Sequence, residues 1–174
     1  NPSEPGWGSW AGRYGSNTNF PGKPYYWANQ FDAWNGKTNR DNTLARWAVH
    51  LQNVFKSRLD WCIRDFAHAN HPPVVRVKGA LRRTVRAGEV VELDAGESSD
   101  PDAQPLRFEW LHYREAGSYA GPAIVLQNSA TRGVSFTAPS VERSETIHIV
   151  AAVTDTGEPA LTRYARVIVT VEVR

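Results

Sequence analysis

A single cysteine, Cys62, and no methionine occur in the 174 residues. One thiol cannot build an internal disulfide framework or an all-cysteine zinc site, and it leaves the redox compartment open. Without methionine, the chain is expected to be a processed product or a cut fragment, and no signal peptide or lipidation motif is legible at Asn1. No run approaches the roughly 18 apolar residues of a membrane span, so no membrane partner is expected. Excess charge is missing too: 20 basic against 18 acidic residues leave +2. That is no polyelectrolyte signature for nucleic acid. Hydrophobic residues are 41% and charged residues 22% of the chain, ordinary values for a globular protein with a core to bury.

What is present is unevenly spread. Thirteen of the 19 aromatic residues, with six of the seven tryptophans, lie in residues 1–70. Two regions of different material are expected, 1–71 and 72–174.

Residues 1–42 show neither helical nor strand periodicity, and Pro21-Gly22 and Asn35-Gly36 punctuate them. Disordered segments are poor in aromatics, so this one reads as ordered but irregular, pinned by its rings. Over 43–69 the pattern changes. Leu44, Trp47, Ala48, Leu51, Phe55, Leu59, Cys62, Ile63 and Phe66 recur at spacings of three and four, the apolar stripe of one long helix. Asp41-Asn42-Thr43 supplies N-cap candidates, and His71-Pro72-Pro73 stops the helix. Trp47, Trp61 and Cys62 are read as packing residues of that helix.

From residue 73 the period is two. Strands are predicted at 74–78, 90–94, 106–113, 124–127, 134–137, 146–154 and 161–173, separated by turn signals. Short strands at this density define a mainly β fold, an immunoglobulin-like antiparallel β-sandwich. Trp110, on one strand face with Phe108, is its expected core tryptophan.

Four carboxylates, Asp94, Asp100, Asp102 and Asp155, are the candidates for holding calcium, a hard cation that takes six to eight oxygens. The plainer account is that Asp and Ser in 94–102 bond their own backbone and build turns. No other cofactor is expected. Of the five histidines, His68 and His71 offer half a metal site, with capping of carbonyls at the helix end the plainer account, and His112 and His148 lie on strands where they could meet across a sheet as a zinc or copper pair. The basic run Arg76, Lys78, Arg82, Arg83 and Arg86 carries no interleaved rings, and reads as charge that discourages strand-edge pairing. No G-x-S-x-G elbow occurs, and no catalytic residue is nominated.

The aromatic segment is the candidate site. Pyranose rings present apolar C–H faces that flat side chains cover while amides and charged groups bond the hydroxyls. Trp7, Trp10, Tyr14, Tyr25, Tyr26, Trp27 and Trp34, interleaved with Asn17, Asn19, Asn29, Asp32 and Asn35, have that composition, and all of these rings but Tyr26 are nominated as the site. Burial of most of these rings is the competing expectation, because large apolar residues are buried by default.

Several stretches also carry a family resemblance. The Asp94-Ala95-Gly96-Glu97-Ser98-Ser99-Asp100-Pro101-Asp102 run, followed by Trp110, resembles the opening of PKD and related immunoglobulin-like modules. Gly6-Trp7-Gly8-Ser9-Trp10-Ala11-Gly12-Arg13-Tyr14, Leu59-Asp60-Trp61-Cys62 and Ala69-Asn70-His71-Pro72-Pro73 are similar to the C-terminal region of bacterial cellulose-binding-type proteins. Glu115–Tyr119, Phe136–Pro139 and Val153–Tyr164 continue the likeness. In that family a nucleoside-hydrolase-like domain precedes a β-sandwich. The resemblance implies a secreted or periplasmic carbohydrate-active protein with polysaccharide and an upstream hydrolase-like domain as partners. The acidic calcium-holding motif of nucleoside hydrolases has no counterpart here, which implies a non-catalytic region. Non-catalytic binding of cellulose or a related plant cell-wall glycan is therefore the leading expectation. The alternative makes residues 1–71 the end of the hydrolase-like glycosidase domain, with the sandwich as spacer or docking module.

Overall fold

Alternation of side chains dictates which faces of the later strands are buried, and the computed structural model, which describes residues 3–174, shows the result. The chain divides into two compact units, Asn1–Phe55 and Lys56–Arg174. The division falls inside the main helix, where the sequence reading put it at residue 71.

Unit one is less irregular than expected. Strand β1 (Tyr14–Ser16) pairs antiparallel with β2 (Trp27–Asn29), and β3 (Asp32–Trp34) with β4 (Lys37–Asn39). The β3–β4 turn is Asn35-Gly36, both at positive φ of 49° and 71°. That conformation suits a two-residue hairpin and favours Asn-Gly. A short helix α1 (Asn42–Ala45) follows, then α2 (Ala48–Asp60).

One buried carboxylate organises this unit. Asp32 is fully buried and accepts from Arg13 Nε at 2.7 Å, while Arg46 Nε lies 3.8 Å from its other oxygen. The Asn42 side-chain amide donates to the carbonyls of Asp32 and Lys37 at 2.9 and 2.8 Å, tying α1 to the hairpin. A buried charge is tolerated only when paired and hydrogen-bonded in this way.

The single helix predicted over 43–69 is shorter and interrupted. Trp47 N–H reaches back only three residues to Leu44, which separates α1 from α2. After Asp60 the backbone tightens again, Cys62 N–H bonding Leu59, and Asp65 then caps a separate 3₁₀ turn at Phe66–His68. The apolar stripe continued in the sequence beyond the point where the helix stops. Cys62 is consequently exposed, not a buried packing residue. No helix among the described residues is long and apolar enough to cross a membrane.

Unit two is the β-sandwich. One sheet has the order β5 (Arg82–Arg86), β10 (Thr162–Glu172), β9 (Glu145–Thr154), β7 (Arg107–His112). The other pairs β6 (Val90–Asp94) with β8 (Gly133–Thr137). All neighbours are antiparallel except β5 and β10. The core lies between the sheets: Val91 and Leu93, Val134 and Phe136, Trp110, Ile147 and Ile149, Val167 and Val169. Trp110 is buried as expected, and its indole N–H donates to Thr131 O at 3.0 Å, satisfying the polar end of the ring.

Two predicted strands are not formed, because side chains take their backbone donors. Arg76 N–H goes to Ser98 Oγ, leaving 74–78 with an isolated bridge at Val74. Ile124 N–H goes to His112 Nδ1 at 3.2 Å, leaving 124–127 with a bridge at Gln127. Conversely β5, read as a basic run, is a full strand.

Candidate functional site

Ring exposure in unit one follows from the loop between β1 and β2. Asn17 N–H bonds Tyr26 O at 2.8 Å and closes the loop at its base. Within it, Phe20 N–H returns to Asn17 O and Tyr26 N–H to Lys23 O, so the loop's backbone is satisfied without burying its side chains. Phe20 and Tyr26 stack with centroids 4.5 Å apart, and Tyr25 sits 5.5 Å from Tyr26. The indole N–H of Trp27 donates to Pro24 O at 2.8 Å, which fixes the ring while leaving 49% of the residue exposed. Tyr25 is 73% exposed.

The β3–β4 hairpin adds Trp34 and, just before it, Phe31, both exposed. The guanidinium of Arg40 lies 5.1 Å over the Phe31 ring. Of the six nominated rings, Tyr25, Trp27 and Trp34 are exposed, whereas Trp7, Trp10 and Tyr14 are half-buried. Tyr26, which shares the ring-and-amide composition, joins the exposed set, as do Phe20 and Phe31, which were not singled out from the sequence. Their signal was the Pro21-Gly22 and Pro24 punctuation, which marks a loop whose rings have no interior to enter. Such an array can cover apolar sugar faces.

Unit two separates the four nominated carboxylates. Asp94 accepts from Gly96 N–H at 2.7 Å, and Asp100 from Asp102 and Gln104 N–H at 2.9 and 3.1 Å. Asp102 accepts from His71 N–H and from its Nδ1, at 2.6 and 2.9 Å. Burial works to raise the Asp102 pKa, but the two His71 hydrogen bonds and the His71 charge outweigh it and hold the carboxyl below its ordinary value. Asp155, fully buried, accepts from Gly157 and Leu161 N–H at 3.0 and 2.8 Å. Among the described residues no three His, Cys, Asp or Glu side chains gather to hold a metal ion. These carboxylates build turns, and the arrangement gives the calcium expectation no geometric support.

The histidine pairs also divide. His68 pairs with Asp65 and His71 with Asp102, each through Nδ1. His112 and His148 do lie on neighbouring strands, with His112 opposite Ile149. Burial, first of several causes, lowers both pKa values, that of His148 to about 4.

Concavities exist in unit two. One of about 760 Å³ is lined by Lys78, Arg83, Asp94, Asn128 and Arg132 among others, with no aromatic wall. Another, of about 390 Å³, is lined by Trp61, Arg64, Phe66, Ala69 and His71.

The fold therefore defines an immunoglobulin-like β-sandwich preceded by a ring-bearing segment and a helix. Residues 90–171 match the family model described as "Cellulose-binding protein Sde0182, C-terminal domain". The chain is also similar to a nucleoside hydrolase-related protein from Saccharophagus degradans that is associated with carbohydrate metabolism, with 31% identity and a TM-score of 0.79. That similarity covers 100% of this chain and 44% of the other, so the present chain spans less than half of that protein's length. A PKD domain from the KIAA 1837 protein aligns over 58% of this chain and 89% of its own, at 18% identity and a TM-score of 0.42. Comparison with curated protein sequences gives no match. The resemblance carried by the motifs is thus present along the sandwich and, through the solved relative, along the whole chain.

Proposed function

We propose that this chain is a non-catalytic carbohydrate-binding accessory region acting on cellulose or a related plant cell-wall glycan, in a secreted or periplasmic setting. The observation that carries the reading is the exposed ring set Tyr25, Tyr26, Trp27 and Trp34, held on backbone-satisfied loops. Each stacked ring contributes on the order of 0.5–1.5 kcal/mol if it behaves as an aromatic pair does. Three engaged rings give weak binding, which suffices for a polymer that repeats its sites. The family description of residues 90–171 supports the same reading. Depletion of the protein by insoluble cellulose or xylan, lost on replacing Tyr25 and Trp27 by alanine, tests it.

A specific observation favours a second reading. Leu51, Phe55 and Leu59, spaced four apart along α2, are all exposed. An amphipathic helix normally buries its apolar row, and the solved relative has more than half its length outside the region matched here. In this reading residues 1–71 complete an upstream nucleoside-hydrolase-like domain and the sandwich is its spacer or docking module. Leu51→Lys with Phe55→Lys separates the two: monodispersity of the isolated chain improves and capture by an added upstream domain is lost, while cellulose depletion is unchanged.

A further inference from the structure

The cavity formed by Trp61, Arg64, Phe66, Ala69 and His71 lies wholly within the sandwich unit, apart from the loops on which the proposed glycan reading rests. Hydrogen bonds to residues outside its lining hold its walls. The Trp61 indole N–H donates to Asn70 O at 2.9 Å, fixing the plane of the ring. His71 is clamped twice on the Asp102 carboxylate, through its backbone N–H and through Nδ1. The His71 and Trp61 rings lie within 14° of parallel with centroids 6.1 Å apart, and the Phe66 ring is 3.8 Å from His71. Asp65 fixes the short turn that carries Phe66, accepting from His68 N–H at 3.0 Å. Despite this ordering, Phe66 remains 75% exposed.

Rings fixed before a ligand arrives lose little freedom on binding, which is the condition under which a few weak contacts become measurable. The wall combines flat apolar faces with one guanidinium donor, Arg64, at the same cavity. Flat faces suit the C–H side of a pyranose, and a guanidinium suits its hydroxyl oxygens. We propose that this cavity is a second carbohydrate subsite, taking one pyranose unit of a glycan chain with Phe66 and Trp61 as stacking faces and Arg64 as hydroxyl donor. It rests on the glycan reading above but on different residues.

Titration of the full chain with cellohexaose, followed by the indole N–H resonances in NMR, tests the subsite. Trp61→Phe and Trp27→Phe assign the two signals. The Trp61 resonance is expected to shift, and Phe66→Ala to weaken that shift's midpoint about three- to ten-fold. Arg64→Ala, at the exposed rim, is expected to weaken it without altering the circular dichroism spectrum. If Trp27 shifts and Trp61 does not, the subsite is wrong and the loop reading stands. If Trp61 shifts and Trp27 does not, the subsite holds and the loop reading falls. No shift at either indole overturns both, and a Trp61 shift unaffected by Phe66→Ala and Arg64→Ala overturns the assigned roles.

Discussion

Arg166 donates through its guanidinium to Nδ1 of His148 at 2.9 Å, between neighbouring strands β10 and β9. The imidazole accepts this bond only when neutral at Nδ1. Burial is the largest cause lowering the His148 pKa to about 4, followed by the charges of Arg166, Arg82 and His112. Between pH 6.5 and 4 the unfolded chain therefore takes up a proton that the folded chain refuses. The stabilisation is complete above about pH 6.5 and is lost as pH falls toward 4, roughly 3 kcal/mol in all. His112, also lowered chiefly by burial, acts in the same direction. Urea midpoints are expected to fall between pH 7.5 and pH 5 by the equivalent of about 2 kcal/mol. His148→Gln should flatten that dependence; a wild-type midpoint that does not move over this window contradicts the account.

A second prediction concerns the junction of the short 3₁₀ turn with the β9–β10 loop. Asn70 donates to Asp155 and to Pro159 O at 3.1 and 2.9 Å, and accepts from Gln104 at 2.7 Å. Asp155→Ala strands the Gly157 and Leu161 amides and should cost about 3 kcal/mol. Gly157 is constrained by the same residue, since a Cβ there would stand 2.3 Å from the Asn70 side chain. Gly157→Ala should be destabilising in the wild type and close to neutral in an Asn70→Gly background. Chemical denaturation of the four variants decides it.

In unit one, Asn42→Asp should be worse than Asn42→Ala. The amide donates to the carbonyls of Asp32 and Lys37, and a carboxylate would set negative oxygen against both. Expected losses are about 3 and about 2 kcal/mol, read from thermal unfolding of unit one by aromatic circular dichroism.

Ring substitutions should fall into two groups by exposure. Tyr25→Ala and Trp27→Ala remove exposed faces and should lower cellulose depletion several-fold with midpoints changed by less than about 1 kcal/mol. Trp10→Ala and Tyr14→Ala remove half-buried rings and should lower stability first, by about 2 kcal/mol. Equal effects in both groups, on both readouts, would show that exposure does not govern binding.

The sandwich was readable because alternation is local. In Val90–Asp94, Val91 and Leu93 alternate with Glu92 and Asp94 and face the core, while Val90 is exposed. The parallel pairing of β5 with β10 was not readable, since Arg82-Arg83-Thr84-Val85-Arg86 has almost no apolar alternation and its partner lies 86 residues away. The helix end was misread for a related reason. Ile63 continues the apolar spacing, yet it is 84% exposed, because Asp65 starts a competing cap three residues before His68. At the candidate site the ring types were visible in the sequence, but exposure was not. Whether Trp27 lies open and Trp10 half-closed depends on loop closures such as Asn17 to Tyr26, which no periodicity announces.

The side chain of Arg83 bonds the carbonyls of Ala80, Glu92 and Lys78 at once, while Lys78 N–H takes Asp94 O. Along this flank of β6 the acceptors a foreign strand would seek are already engaged. A strand from a second copy therefore finds the Glu92 and Asp94 carbonyls on this flank already taken. One guanidinium thus stops the β6–β8 pair from growing by another strand on this side.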